Sequence, residues 1–258
     1  MYSETEKTKE IWENLAGWWD KEVVDGDLFH RTFIYPSILK FSDLKPTDRV
    51  LDIACGNGAL SRLLAKSGAQ IIGADFSEKL IRCAQDRSKN YHNLTFIQLD
   101  ATDAIAIKKI AEKNKFNLVI CSMAFQDMWS IEPLIATLKH ILHFQGKFIF
   151  SIPHPCFNSG FVKFNLQPNH CPSITVSKYI KSEKSTINAK PNQPVPHFIY
   201  HRPLSLIFKL LMNGSMFMSE FEEPVAVDNA LPNDFLWSLL KEIPPVVIST
   251  WIYNLKNV

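Results

Sequence analysis

The chain has 258 residues, 46% apolar and 21% charged, enough to bury a full core in one domain of α/β size. A net charge of +2 without any Lys/Arg run argues against a nucleic-acid substrate. Five scattered cysteines with no Cys-x-x-Cys pair suit neither a disulfide framework nor a zinc site; no apolar signal core or membrane-spanning run is present, so a cytoplasmic protein without metal or membrane partner is expected.

Residues 5–20 place Ile11, Trp12, Leu15, Trp18 and Trp19 at helical spacing. That pattern suits a helix packed on the domain or a cap over a ligand pocket, with Trp18 and Trp19 as its flat surface. After the turn Asp25-Gly26-Asp27, a second helix is expected from about Phe29 to Phe41, ending before Pro46.

The stretch from Arg49 to Ala65 organises the rest of the chain. Val50, Leu51 and Ile53 form an apolar run short enough for a buried parallel strand. The chain then turns through Gly56 and Gly58 and becomes helix-periodic at Leu60, Leu63 and Leu64. A strand that turns through glycines into a helix lets backbone N–H groups approach a ligand with no Cβ in the way.

Gly68 stops that helix, and Ile71–Asp75 is a second strand with an acid at its C-terminal end. Ser77 can cap a helix carrying Leu80, Ile81 and Ala84. Leu94–Asp100 and Phe116–Cys121 read as strands around a helix from Asp103 to Asn114. Ser130 starts a helix with Pro133 in its first turn, and Gly146–Ile152 is a fifth strand. Strands alternating with helices imply a parallel sheet covered on both faces.

The character changes at Pro153. Eight of the fifteen prolines lie between Pro153 and Pro203, with a Ser/Lys-rich tract around 177–190, which reads as an inserted lid or loop segment. Pro203 is placed as the first residue of a helix that stops at Asn213-Gly214. Met216–Glu223 and Pro245–Tyr253 read as two more strands, separated by a helical piece near Asp234–Lys241. The whole divides into an N-terminal helical cap (1–45), a ligand-binding core (46–152), the insertion (153–202) and a C-terminal part completing the sheet (203–258).

Three acids, Asp52, Asp75 and Asp100, mark successive strands at one edge. Ligands of open parallel sheets bind outside the carboxyl ends of the strands, where strand order reverses. Any one such acid can be a helix cap; an acid ending the second strand also suits a ribose diol, since one carboxylate accepts from both hydroxyls. A nicotinamide-binding fingerprint would place a third glycine where Ser61 stands, and no second mononucleotide half is present.

Asp52-Ile-Ala-Cys-Gly-Asn-Gly58, Gly73-Ala-Asp75, Leu99-Asp-Ala101, Ser122–Asp127, Ser151–Phe157, His201–Ser205, Phe221–Pro224 and Ile243–Pro245 carry a resemblance over nearly the whole chain. The sequence resembles the class I S-adenosylmethionine-dependent methyltransferases, particularly the small-molecule branch often called type 11. That resemblance implies a Rossmann-like doubly wound sheet of about seven strands, mostly parallel, with an antiparallel C-terminal hairpin. It implies S-adenosylmethionine as cofactor, with Ala54 (at the family's first glycine), Gly56 and Gly58 near the methionine moiety and Asp52 facing its amino group. On the same resemblance Asp75 holds the ribose, Phe76 packs on the adenine, Asp100 and Ala101 read its edge, and Cys121 and Ser122 close the pocket. The family's frequent Pro-Gly-Gly turn is Phe144-Gln-Gly146 here.

A sulfonium methyl is already activated, so binding and alignment of a small, partly apolar acceptor through a hydroxyl or amine can supply most of the rate. Three histidines are candidates for a polar or basic role beside it: His154 just past the fifth strand, His30 in the cap and His201 before the late helix. A cofactor-binding scaffold without turnover is the alternative that an intact cofactor motif leaves open.

Overall fold

The computed structural model describes residues 3–112, 115–165, 173–226 and 239–254. Helix α1, Glu4–Val23, opens on a reciprocal cap: Ser3 Oγ accepts from the Glu6 N–H, and Glu6 accepts from the Ser3 N–H. Its buried stripe of Trp12, Leu15 and Ala16 packs against Leu80 of α4, Glu78–Arg87. The second expected helix divides into a π-helical turn, His30–Ile34, and α2, Tyr35–Ser42. Such wide turns gather at functional sites.

A seven-stranded sheet follows, built from β1 Arg49–Ile53, β2 Gln70–Asp75, β3 Leu94–Gln98, β4 Phe116–Ser122, β5 Leu142–Pro153, β10 Met216–Glu222 and β11 Val246–Tyr253. Its order is β10-β11-β5-β4-β1-β2-β3. Strands β1 to β5 pair in parallel, while β11 runs antiparallel to both β5 and β10. Strand order reverses between β1 and β4, which puts a ligand crevice beyond Asp52 and Ser122.

Helices cover both faces. One face packs α5 (Ala104–Ile110), α6 (Glu132–Ile141) and α7 (Leu204–Asn213) on Leu51, Val119, Cys121, Phe148 and Phe150. The other packs α2 and α3 (Ala59–Ala65) on Val50, Leu118, Ile120 and Ile149. The alternation along β4 is the period of two that separates the faces of a strand. Among the described residues no helix is long and apolar enough to cross a membrane.

Several local expectations need correction. Ser77 does cap α4, but Ser130 does not cap α6: its hydroxyl donates to Glu132, and Ile131 occupies the cap position. Pro203 precedes α7 with extended backbone rather than forming its first turn. The proline-rich segment is no bare loop. It forms two antiparallel ladders outside the main sheet, β6 Val162–Asn165 with β7 Ser173–Val176, and β8 Glu183–Ile187 with β9 His197–His201. The run His197-Phe-Ile-Tyr-His201 carried a strand signal that the surrounding prolines masked. Most of the helical piece expected near Asp234–Lys241 lies outside the described residues.

Candidate active site

The turn between β1 and α3 takes three left-handed residues, Ala54 (φ 57°), Gly56 (φ 57°) and Gly58 (φ 75°). Only Gly adopts this conformation freely, so Ala54 is strained. A Cβ on Gly58 would stand 2.5 Å from the Phe96 ring, so this glycine lets α3 close on the sheet. A Cβ on Gly56 would meet nothing within 4 Å, because Gly56 borders a cavity of about 150 Å³.

Two buried carboxylates form the floor of that cavity. Asp52 Oδ2 accepts from Ser61 Oγ at 2.5 Å. Asp75 accepts from the backbone N–H of Gly56 and of Ser77, both at 2.9 Å. Burial pushes Asp52 up to about 7, aided by the charge of Asp75 and opposed by the Ser61 hydroxyl. Burial likewise pushes Asp75 up to about 6, against its two backbone donors. At the next strand end, Asp100 Oδ1 accepts from both the N–H and the hydroxyl of Thr102 at 2.7 Å.

A second cavity, about 480 Å³, adjoins the first. The two share Trp12, Trp19, His30, Met123 and Asp127, and the insertion supplies much of the second one's far wall. Trp12 and Trp19 meet edge to face with centroids 5.1 Å apart. Arg202, buried, donates to the carbonyls of Phe125, Met128 and Trp129 at 2.7–3.0 Å and so fixes the segment between them.

His30 stands on the shared wall. Its Nδ1 lies 2.7 Å from Asp27 Oδ1, which also accepts the His30 N–H at 3.0 Å, and Lys190 Nζ reaches Asp27 Oδ2 at 2.5 Å. Burial works to raise the Asp27 pKa, but the hydrogen bonds and charge of His30 and Lys190 outweigh it and hold this carboxyl well below the usual range. An ionised Asp27 only accepts, so Nδ1 carries a proton, and the second ring nitrogen, Nε2, is the one turned away from Asp27 and free for another partner.

Comparison with known proteins agrees with this geometry. Residues 44–193 match the family described as a methyltransferase domain. The chain belongs to this family. A ubiquinone biosynthesis O-methyltransferase of Glaesserella parasuis is 27% identical over 52% of this chain and 58% of that protein. A demethylmenaquinone methyltransferase of Staphylococcus carnosus is 29% identical over 39% of this chain and 43% of that one, so the match spans about half the length of these relatives. The crystal structure of an S-adenosylmethionine-dependent methyltransferase of Mesorhizobium loti shares the fold, with a TM-score of 0.68 at 17% identity over 88% of this chain and 99% of that chain.

In this methyltransferase, Asp52, Ala54, Gly56, Asp75, Phe76, Asp100, Ala101 and Ser122 all line the first cavity. Two residues do not. Gly58 packs under Phe96, and Cys121 points into the core on the α6 face, one residue out of phase with Ser122. Of the α1 tryptophans, Trp12 and Trp19 line the cavity and Trp18 does not.

The three histidines part company. His154 lines neither cavity: it is buried, Cys156 N–H donates to its Nδ1 at 3.1 Å, and its Nε2 donates to Glu223 Oε1 at 2.7 Å. His201 lines only the second cavity, where its Nε2 donates to the Tyr179 carbonyl at 2.6 Å. His30 alone of the three borders both. Sequence reasoning missed Asp127 and His197, which also line the second cavity; the strand-end motif Ser122–Asp127 held the only signal for the former.

Proposed function

We propose that this methyltransferase transfers a methyl group from S-adenosylmethionine to a hydroxyl of a small, partly aromatic molecule held in the second cavity. The observation that carries this reading is the position of His30, oriented by Asp27, on the wall shared by both cavities.

The residues of the first cavity suit the cofactor. Gly56 borders the open space of the cavity, so a ligand can approach its backbone, and two buried carboxylates with raised pKa values favour a cationic ligand. Asp52 lies on the side suited to the ammonium group and Asp75 to the ribose diol, with Phe76, Asp100 and Ala101 toward the base. S-adenosylmethionine supplies a methyl group on a sulfonium, which needs no further activation.

The chain then has three tasks. Trp12 and Trp19 hold the acceptor and keep water out, the shared wall sets the line of approach, and His30 Nε2 accepts the proton of the attacking hydroxyl. As the oxygen–carbon bond forms and the carbon–sulfur bond breaks, that proton resides on an imidazolium stabilised by Asp27. The quinone-methyltransferase names of the relatives support an aromatic, oxygen-bearing acceptor.

A screen of phenols and quinols with methyl-labelled S-adenosylmethionine tests the reading. Label transfer to a phenolic oxygen is expected. Label only on amines, or binding of the cofactor with no acceptor turned over across the screen, would overturn it.

A further inference from the structure

The second cavity is bordered by a polar group of residues that the proposed transfer does not use. Gln193 Oε1 accepts from the Ala189 N–H at 2.9 Å, and its Nε2 donates to the Val195 carbonyl at 2.6 Å, which fixes the orientation of the amide. That same Nε2 lies 3.0 Å from His197 Nδ1. An amide NH₂ only donates, so Nδ1 accepts and the His197 proton sits on Nε2. Nε2 faces Asp127 Oδ1 at 3.6 Å, too far for a hydrogen bond.

Asp127 Oδ1 and Gln126 Oε1 are both buried with no hydrogen-bond partner among the described residues. Asp127 Oδ2 is occupied by Gln126 Nε2 at 2.9 Å. Gln126, Asp127 and His197 all line the second cavity. One donor and two unpartnered acceptors therefore gather on one wall, and buried polar atoms of this kind are normally paired.

We propose that this wall binds a second hydroxyl of the acceptor, so that the preferred acceptor is an aromatic diol rather than a monohydric phenol. A hydroxyl accepts from His197 Nε2–H and donates to Asp127 Oδ1 or Gln126 Oε1; a hydrocarbon edge satisfies neither. The inference rests on the reading of the second cavity as the acceptor site. His30 takes the hydroxyl that is methylated, and Asp127 with His197 determines specificity for the other.

The test uses the full chain saturated with S-adenosylhomocysteine and follows tryptophan fluorescence, since Trp12 and Trp19 line the cavity. The probes are 1-naphthol and the dihydroxynaphthalene isomers. At least one isomer is expected to bind about tenfold or more tighter than 1-naphthol, the scale of one satisfied buried hydrogen bond. Asp127→Ala and His197→Phe should each remove that preference while leaving 1-naphthol within about threefold, and His197→Phe, which lines only the second cavity, should also leave calorimetric S-adenosylhomocysteine affinity unchanged. Equal affinity of the wild type for 1-naphthol and every isomer would overturn the second-hydroxyl proposal and leave the acceptor site standing. No quenching by any naphthol would overturn the acceptor site as well.

Discussion

Asn57, inside the glycine turn, donates through Nδ2 to Asp20 Oδ1 and to the Val24 carbonyl, both at 3.0 Å, and so fastens the end of α1 to the floor of the first cavity. Arg62 closes the same seam from below, reaching the Asn57 carbonyl at 2.7 Å and Asp25 at 2.8 Å. Val24, a β-branched residue at φ 50°, is strained there, and the seam holds it. The helical cap and the glycine turn are thus one mechanical unit.

Asn57→Ala should therefore act on stability and ligand binding together. The Val24 carbonyl and Asp20 each lose one donor but keep Arg62 and Arg87, so the loss is that of two ordinary hydrogen bonds, about 0.5–1.5 kcal/mol each. A lowered thermal midpoint accompanied by weaker S-adenosylhomocysteine binding is expected in scanning and titration calorimetry. Loss of stability with unchanged affinity would separate cap from turn.

Ala54→Gly is expected to stabilise the protein. The left-handed conformation costs an L-residue roughly 1–2 kcal/mol, whereas the extra freedom of glycine in the unfolded chain takes back about 0.4–1 kcal/mol. Urea denaturation should show a small rise in midpoint with no change in slope.

The raised carboxyls predict a pH dependence of the ligand-free protein. Folded Asp52 and Asp75 hold their protons to about 7 and about 6, whereas in the unfolded chain they ionise near the ordinary aspartate value of 3.8. Between those limits the folded state binds more protons, so these two groups make stability fall as pH rises from about 4 to 7. Asp52→Asn should flatten part of that fall. A cationic ligand favours the carboxylates, so S-adenosylmethionine binding near pH 6 should release protons, read from calorimetry in buffers of different ionisation enthalpy.

His30 and His154 give opposite expectations. His30→Gln should slow transfer by about 10²-fold or more, the scale of a positioned base, while cofactor-product affinity stays near wild type. His154→Ala should instead reduce stability by about 1–3 kcal/mol, because Glu223 and the Cys156 N–H lose their partner, and slow transfer by less than about tenfold. The reverse pattern in stopped assays and denaturation curves would return the base to His154.

Elements with strong local periodicity were legible in the sequence. The apolar runs Val50–Ile53, β2, β3 and β4 and the glycine turn are short-range signals, and the strand-end acids follow from them. The family resemblance carried by these motifs named eight residues that line the first cavity. Side-chain direction and long-range pairing came from the packing of the folded chain. A single residue of strand phase sends Cys121 into the core while Ser122 reaches the cavity. A spacing of about two helical turns puts Trp12 rather than Trp18 on the same cavity wall as Trp19. His154 was the best-placed histidine along the chain, yet Glu223, 69 residues away, turns it aside, whereas Asp27, three residues from His30, holds that ring at the wall. His197, on a strand that proline content concealed, faces Asp127 from the turn after β4. Local pattern fixes where an element lies; which polar atoms face one another depends on how distant elements pack.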